Sequence, residues 1–151
     1  MNILLGREEV NPDRPHNDGR TPLSFAAQNG HEGVVKILLG RGEVNPDKPN
    51  RLGMAPLTWA ALNGHEGVVK LLLGREEVNP DRPDIFDQTP LFLAAYFGRE
   101  GVVKILLGQE EVNPDKPDML GRTPLDRAAA NGHERVVALL RSRKAISPRL
   151  V

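Results

Sequence analysis

Residues 18–36 read DGRTPLSFAAQNGHEGVVK, and the pattern returns three times: LGMAPLTWAALNGHEGVVK over 52–70, FDQTPLFLAAYFGREGVVK over 86–104 and LGRTPLDRAAANGHERVVA over 120–138. Pro22, Pro56, Pro90 and Pro124 are each 34 residues apart, and the Asn-Pro-Asp triplets at Asn11, Asn45, Asn79 and Asn113 keep that interval. A fixed period of this length marks an array whose units touch only their neighbours and build no central core.

Each unit reads as helix, turn, helix, loop. Thr21, Thr89 and Thr123 stand before a proline, so the hydroxyl caps the helix while the proline occupies its first turn. Ala55 lacks that hydroxyl. Gly30, Gly64, Gly98 and Gly132 end the first helix, where glycine accepts a left-handed backbone. Leu23, Ala26 and Ala27 share one face, small enough for close stacking. In the second helix Val34, Val35, Leu38 and Leu39 form an apolar stripe, with Glu32 and Lys36 expected to pair on the wet side. Gly33, Gly67 and Gly101 interrupt this helix with no local reason. After Gly40 the segment RGEVNPDKPN carries two closely spaced prolines and must be a loop with a turn.

The T-P-L-x-x-A-A core followed by G-H and V-V resembles the ankyrin repeat over nearly the whole chain. The resemblance implies an all-α ankyrin-repeat solenoid: a half repeat over 1–17 and repeats over 18–51, 52–85, 86–119 and 120–151. Residues 1–15 align with the second half of a unit, so Ile3, Leu4 and Leu5 form an uncapped apolar face. That suggests either a piece of a longer array or a frayed end. In the last unit Arg135 replaces Gly101 and Arg141 replaces Leu107, with Ser142, Arg143 and Lys144 following, so polar groups enter positions that are apolar elsewhere, as a terminal cap requires. The period is 34 where the family usually shows 33, which places one extra residue in the Asn-Pro-Asp loop. Ser24, Thr58, Phe92 and Asp126 stand where the family usually has histidine. The LLGREEVNPD segment is also similar to arrays attached to fungal NLR-type receptors.

The copies differ mainly at the tip before the T-P-L core and on the far side of the first helix. The family binds partners through those positions, so the resemblance implies a protein-binding groove. Phe25, Trp59, Leu93 and Arg127 would line one row; Gln28, Leu62, Tyr96 and Phe97 would line a second. Leu52, Met54, Ile85, Phe86, Gln88, Met119, Leu120 and Arg122 would sit at the tips. Trp and Tyr are frequent hot-spot residues, although aromatics at these positions also have a plain reading as packing against neighbouring hairpins. The other functional reading is a structural spacer or self-stacking segment of a larger protein.

Other chemistries find little support. With 20 basic and 20 acidic residues the formal charge is zero, which argues against nucleic acid, where binding rests first on phosphate neutralisation. The absence of cysteine removes disulfides and thiolate chemistry. No apolar run reaches the roughly 18 residues of a membrane helix, and Met1 to Leu5 lacks the charged lead of a signal peptide. His31, His65 and His133 recur once per unit, too far apart to share a metal ion. The pairs Glu8-Glu9, Glu76-Glu77 and Glu110-Glu111 read as a solvated face, and the basic residues Arg141, Arg143, Lys144 and Arg149 as a soluble tail or a nuclear-import signal. The expectation is a non-catalytic, cofactor-free cytoplasmic protein that binds another protein. It should be monomeric, unless the half repeat pairs with a second copy.

Overall fold

The computed structural model describes residues 11–146, and side chains through Arg143. The residues Ile3–Leu5, Glu8-Glu9 and Arg149 lie outside that range. Eight α-helices form four pairs among the described residues: α1 Pro22–Gln28 with α2 Glu32–Leu39, α3 Pro56–Leu62 with α4 Glu66–Leu73, α5 Pro90–Tyr96 with α6 Glu100–Leu107, and α7 Pro124–Ala130 with α8 Glu134–Ile146. Each first helix packs on the first helix of the next pair and on its own second helix. Leu57, Ala60, Ala61, Leu91, Ala94 and Ala95 are buried at these junctions, and the apolar cluster runs through all four pairs.

The helix starts follow the sequence closely. Thr21, Thr89 and Thr123 accept from the backbone N–H of Ser24, Phe92 and Asp126 at 3.1–3.2 Å. Asp126 returns the bond by accepting from the Thr123 N–H at 2.9 Å, completing a capping box. Ala55 offers no side-chain cap.

Gly30 has φ +72°, and a Cβ there would lie 2.6 Å from Nδ1 of His65 in the next unit. The bare glycine thus admits the neighbouring ring as well as the left-handed turn. His65 Nε2 lies 2.8 Å from the Gln28 carbonyl and His133 Nε2 lies 2.9 Å from that of Tyr96. A carbonyl only accepts, so Nε2 carries the proton. Arg99 substitutes in the third unit, its Nε donating to the Leu62 carbonyl at 2.8 Å. The periodic histidine therefore caps the open end of the preceding unit's first helix.

The glycines inside the second helices have the same kind of cause. A Cβ on Gly67 would meet the Glu32 carboxylate, and one on Gly101 that of Glu66. These glutamates lean over the next unit, which corrects the expected Glu32–Lys36 pair. In the second helices described, Glu100–Lys104 is the Glu–Lys pair that closes at i, i+4, at 3.8 Å. There Arg135 replaces the glycine and comes within 3.9 Å of Glu100.

The loops are also tied across units. Asp13, Asp47 and Asp81 accept from the backbone N–H of Asn45, Asn79 and Asn113 at 3.1–3.2 Å. Arg75 donates to the Leu39 carbonyl at 2.6 Å and to Glu77 at 3.0 Å. Gln109 holds the equivalent place one unit later, and a shallow depression lined by Leu73, Val78, Pro80 and Glu111 adjoins it. α8 is 13 residues long where the other second helices have 8, and Ser142 stands in the place of the glycine that follows them.

Two substitutions should stabilise the stack in thermal or chemical denaturation. Ala55→Thr restores the missing cap, in a position where Thr21 and Thr89 are fully buried without strain, and should add about 1 kcal/mol. Gln109→Arg should reach the Leu73 carbonyl and Glu111 and add roughly 0.5–1.5 kcal/mol; an unchanged midpoint would show that the carbonyl is already well solvated.

Candidate partner-binding surface

Between the pairs the chain turns tightly at a tip. The N–H groups of Gly19, Gly53, Asp87 and Gly121 bond the carbonyls three residues back. Position one of the turn supplies a side-chain acceptor. Asn50 Oδ1 takes the N–H of Leu52 and Met54, Asp84 Oδ1 those of Phe86 and Gln88, and Asp118 Oδ1 those of Leu120 and Arg122, all within 2.9–3.0 Å. Successive tips are joined by backbone bonds from Arg51 to Asp18, Ile85 to Leu52 and Met119 to Phe86. The tips form a braced row, so whatever they carry is held in register.

What they carry is apolar. Leu52, Ile85, Phe86, Met119 and Leu120, with Phe97 from the end of α5, are between 44 and 71% exposed. Met54, Gln88 and Arg122 are half-buried at the base of the tips, and Gln28, Leu62 and Tyr96 are half-buried on the helix faces. Leu93, expected on the first row, is buried with 7% exposure. Sequence spacing gave its angle on the helix but not its depth between neighbours, and it offers little to a partner.

The other members of that row are engaged within the molecule. Arg20 leaves its tip and lies over two rings, 4.4 Å from the centroid of Phe25 and 5.1 Å from that of Trp59. Asp18 at 2.7 Å and Gln28 at 2.7 Å hold its guanidinium there. Phe25 and Trp59 thus join α1 to α3 through a shared cation, worth roughly 0.5–2 kcal/mol. Arg127 lies 5.1 Å from the ring of Tyr96, which in turn meets Phe97 edge-on at 4.9 Å. The Trp59 indole N–H and Arg127 Nε are buried without a hydrogen-bond partner. The Arg20 clamp escaped the sequence reading, since nothing in the spacing tells which way a tip arginine folds.

Two equivalent tip aspartates titrate in opposite directions. Burial pushes the carboxyl of Asp84 above its ordinary range, the N–H donors of Gln88 and Phe86 offset it only in part, and the neighbouring Asp87 adds to the rise. Burial acts on Asp118 too, but Arg122, bonded at 2.9 Å, and two backbone N–H groups outweigh it and bring the carboxyl below that range. Gln88 stands where Arg122 stands and brings no cation, and Asp84 also faces the like charge of Asp87. Among the described residues no three His, Asp or Glu converge as a metal site, and no helix is long and apolar enough to cross a membrane.

A family model described as ankyrin repeats (3 copies) matches residues 1–84 and again 76–149. The chain belongs to the ankyrin-repeat family. A search of curated proteins finds no match. Ankyrin repeats are generally protein–protein interaction modules and generally non-catalytic.

Asp87 has φ +59° where the other three tips place glycine. Asp87→Gly should remove that strain, worth about 1 kcal/mol, and lower the Asp84 pKa. A raised folded pKa means Asp84 favours the fold below the ordinary carboxylate range, and this contribution is lost as pH rises through the folded value. The variant should lose less stability between acid and neutral pH than the parent. Denaturation across that range, with carboxyl titration by NMR, checks both effects.

Proposed function

We propose that this ankyrin-repeat chain is a non-catalytic adaptor that binds a partner protein on the tips of units two to four and the helix faces beside them. The observation that carries this reading is the braced row of exposed Leu52, Ile85, Phe86, Met119 and Leu120. Large apolar residues held rigidly in water, contiguous and rimmed by charge, mark interaction sites. Stacking cannot account for them, because the side chains that stack are the alanines and leucines beneath. Met54, Leu62, Tyr96, Phe97, Gln88, Arg122 and Arg127 would form the floor and rim, while Phe25, Gln28 and Trp59 stay occupied with Arg20.

The spacer reading draws on one observation, the spending of Phe25 and Trp59 on an internal clamp. Affinity capture from source cells separates the two. Phe86→Ser with Leu120→Ser should lose a specific partner while circular dichroism stays unchanged. Trp59→Ala should retain the partner and lower stability, by about 1–3 kcal/mol for a half-buried aromatic. Identical partner sets for parent and tip variant would support the spacer instead.

A further inference from the structure

We infer that the outer side of the last helix pair holds a slot for an arginine side chain of a partner protein, seated over Gly132 and donating to the Ala130 carbonyl. The slot lies at the opposite end of α7 from the tips and is independent of the tip-row reading.

Each helix pair builds the same slot, and in three of them the next unit fills it. A Cβ on Gly30, Gly64 or Gly98 would lie 2.6, 3.0 or 2.5 Å from a side-chain atom of His65, Arg99 or His133. Each of those side chains also bonds the carbonyl two residues before the glycine, at 2.8 Å from Gln28, 2.8 Å from Leu62 and 2.9 Å from Tyr96. Gly132 repeats the backbone with φ +75°, yet no described atom lies within 4 Å of its Cβ position. The Ala130 carbonyl stands in the matching place, and among the described residues no side chain donates to it. A helix-end carbonyl of this kind needs an external donor. Beside it Ala129, Gly132, His133, Glu134, Val137 and Arg141 border a depression of about 360 Å³. Ala129 is exposed there, whereas its counterparts Ala27, Ala61 and Ala95 are fully buried.

Two charged groups select the occupant. Glu134 is exposed and in no ion pair among the described residues. Its counterpart Glu100 comes within 3.9 Å of an arginine of the next unit, Arg135. Arg99 shows separately that a guanidinium stem fits over the bare glycine while Nε reaches the carbonyl. Arginine carries five donors in a planar fork, so one side chain can serve the Ala130 carbonyl through Nε and Glu134 through a terminal nitrogen; lysine offers a compact ammonium without that fork. Arg141 excludes the plainer occupants, a further unit stacked as in the interior or a second copy of this chain. It stands where Leu39, Leu73 and Leu107 pack against the core, and it too is exposed and outside any ion pair among the described residues. A whole unit laid on it would bury an unpaired charge, which is costly. A single side chain from a partner segment fills the slot and leaves Arg141 in water.

The test titrates the whole isotope-labelled chain with the capped tripeptide acetyl-Gly-Arg-Gly-amide and its lysine counterpart, following backbone amide shifts by NMR. The arginine peptide should move the amides of Gly132, His133 and Glu134 with millimolar affinity, and the lysine peptide should bind about tenfold more weakly. Ala129→Leu projects a larger side chain into the depression from an exposed position, and leucine is a good helix former, so the variant should stay folded and lose the shifts. Glu134→Gln should weaken binding about threefold or more at the same amides. Phe86→Ser with Leu120→Ser should leave the titration unchanged, which separates this site from the tip row. Equal affinity for the arginine and lysine peptides, or shifts that survive Ala129→Leu, would reduce the effect to surface charge and overturn the slot. An arginine titration that leaves the Gly132 amide unmoved would overturn it as well.

Discussion

Adjacent units approach across a seam of alanine and glycine, and each longer-range contact in the molecule depends on how close that seam lets them come. Ala26 and Ala27, with their counterparts in the next two units, present nothing larger than a methyl group, so first helices meet nearly backbone to backbone. At that separation His65 reaches the Gln28 carbonyl, Arg99 that of Leu62 and His133 that of Tyr96. Gly30, Gly64 and Gly98 give up a Cβ to let those side chains through. Enlarging any alanine at the seam would therefore sever polar bonds as well as create overlap, since a bond at 2.8 Å tolerates little displacement.

A stack built this way distributes its stability. Each unit contributes its own helices and one junction, so stability is close to a sum of nearest-neighbour terms. The junctions here are not equivalent. The first carries the Arg20 clamp over Phe25 and Trp59, the second replaces histidine with Arg99 and lacks the arginine at Gln109, and the third brings Arg135 beside Glu100. Asp47 shows how finely such terms balance. Burial raises its carboxyl above the ordinary range, while the Asn79 N–H and Arg82 at 3.1 Å pull the other way without prevailing. That buried acid favours the fold below the ordinary carboxylate range, and the contribution is lost as pH rises through its folded pKa.

Much of this architecture is legible in the sequence, because the copies act as repeated trials. The period, the Thr-Pro helix starts, the left-handed glycines and the stacking alanines follow from four registered segments and local backbone chemistry. What was not legible depends on how side chains fold over one another, most often between neighbouring units. Gly67 is a helix defect by local propensity alone, yet the Glu32 carboxylate occupies the space of its missing Cβ, and Glu32 leaves Lys36 for the same reason. Leu93 shared an angle with Phe25 and Trp59 but not their depth. Arg20 belonged by spacing to the tip and by contact to the groove. Periodicity assigns a residue to a face; only the neighbouring unit decides whether that face is free.

The division between what repeats and what varies then acquires a physical meaning. Stacking groups cannot change singly, because each is matched to a group one unit away. The turn residues Asn50, Asp84 and Asp118 are bound to their own backbone N–H groups, so each tip closes on itself whatever side chains it carries outward. Arg51 and Leu52, Ile85 and Phe86, and Met119 and Leu120 can thus differ with little effect on the junctions beneath. Only Asp87 in place of glycine introduces strain, and it does so within one turn. A scaffold whose fixed bonds lie between units and whose free positions lie at the tips can alter its recognition chemistry one tip at a time.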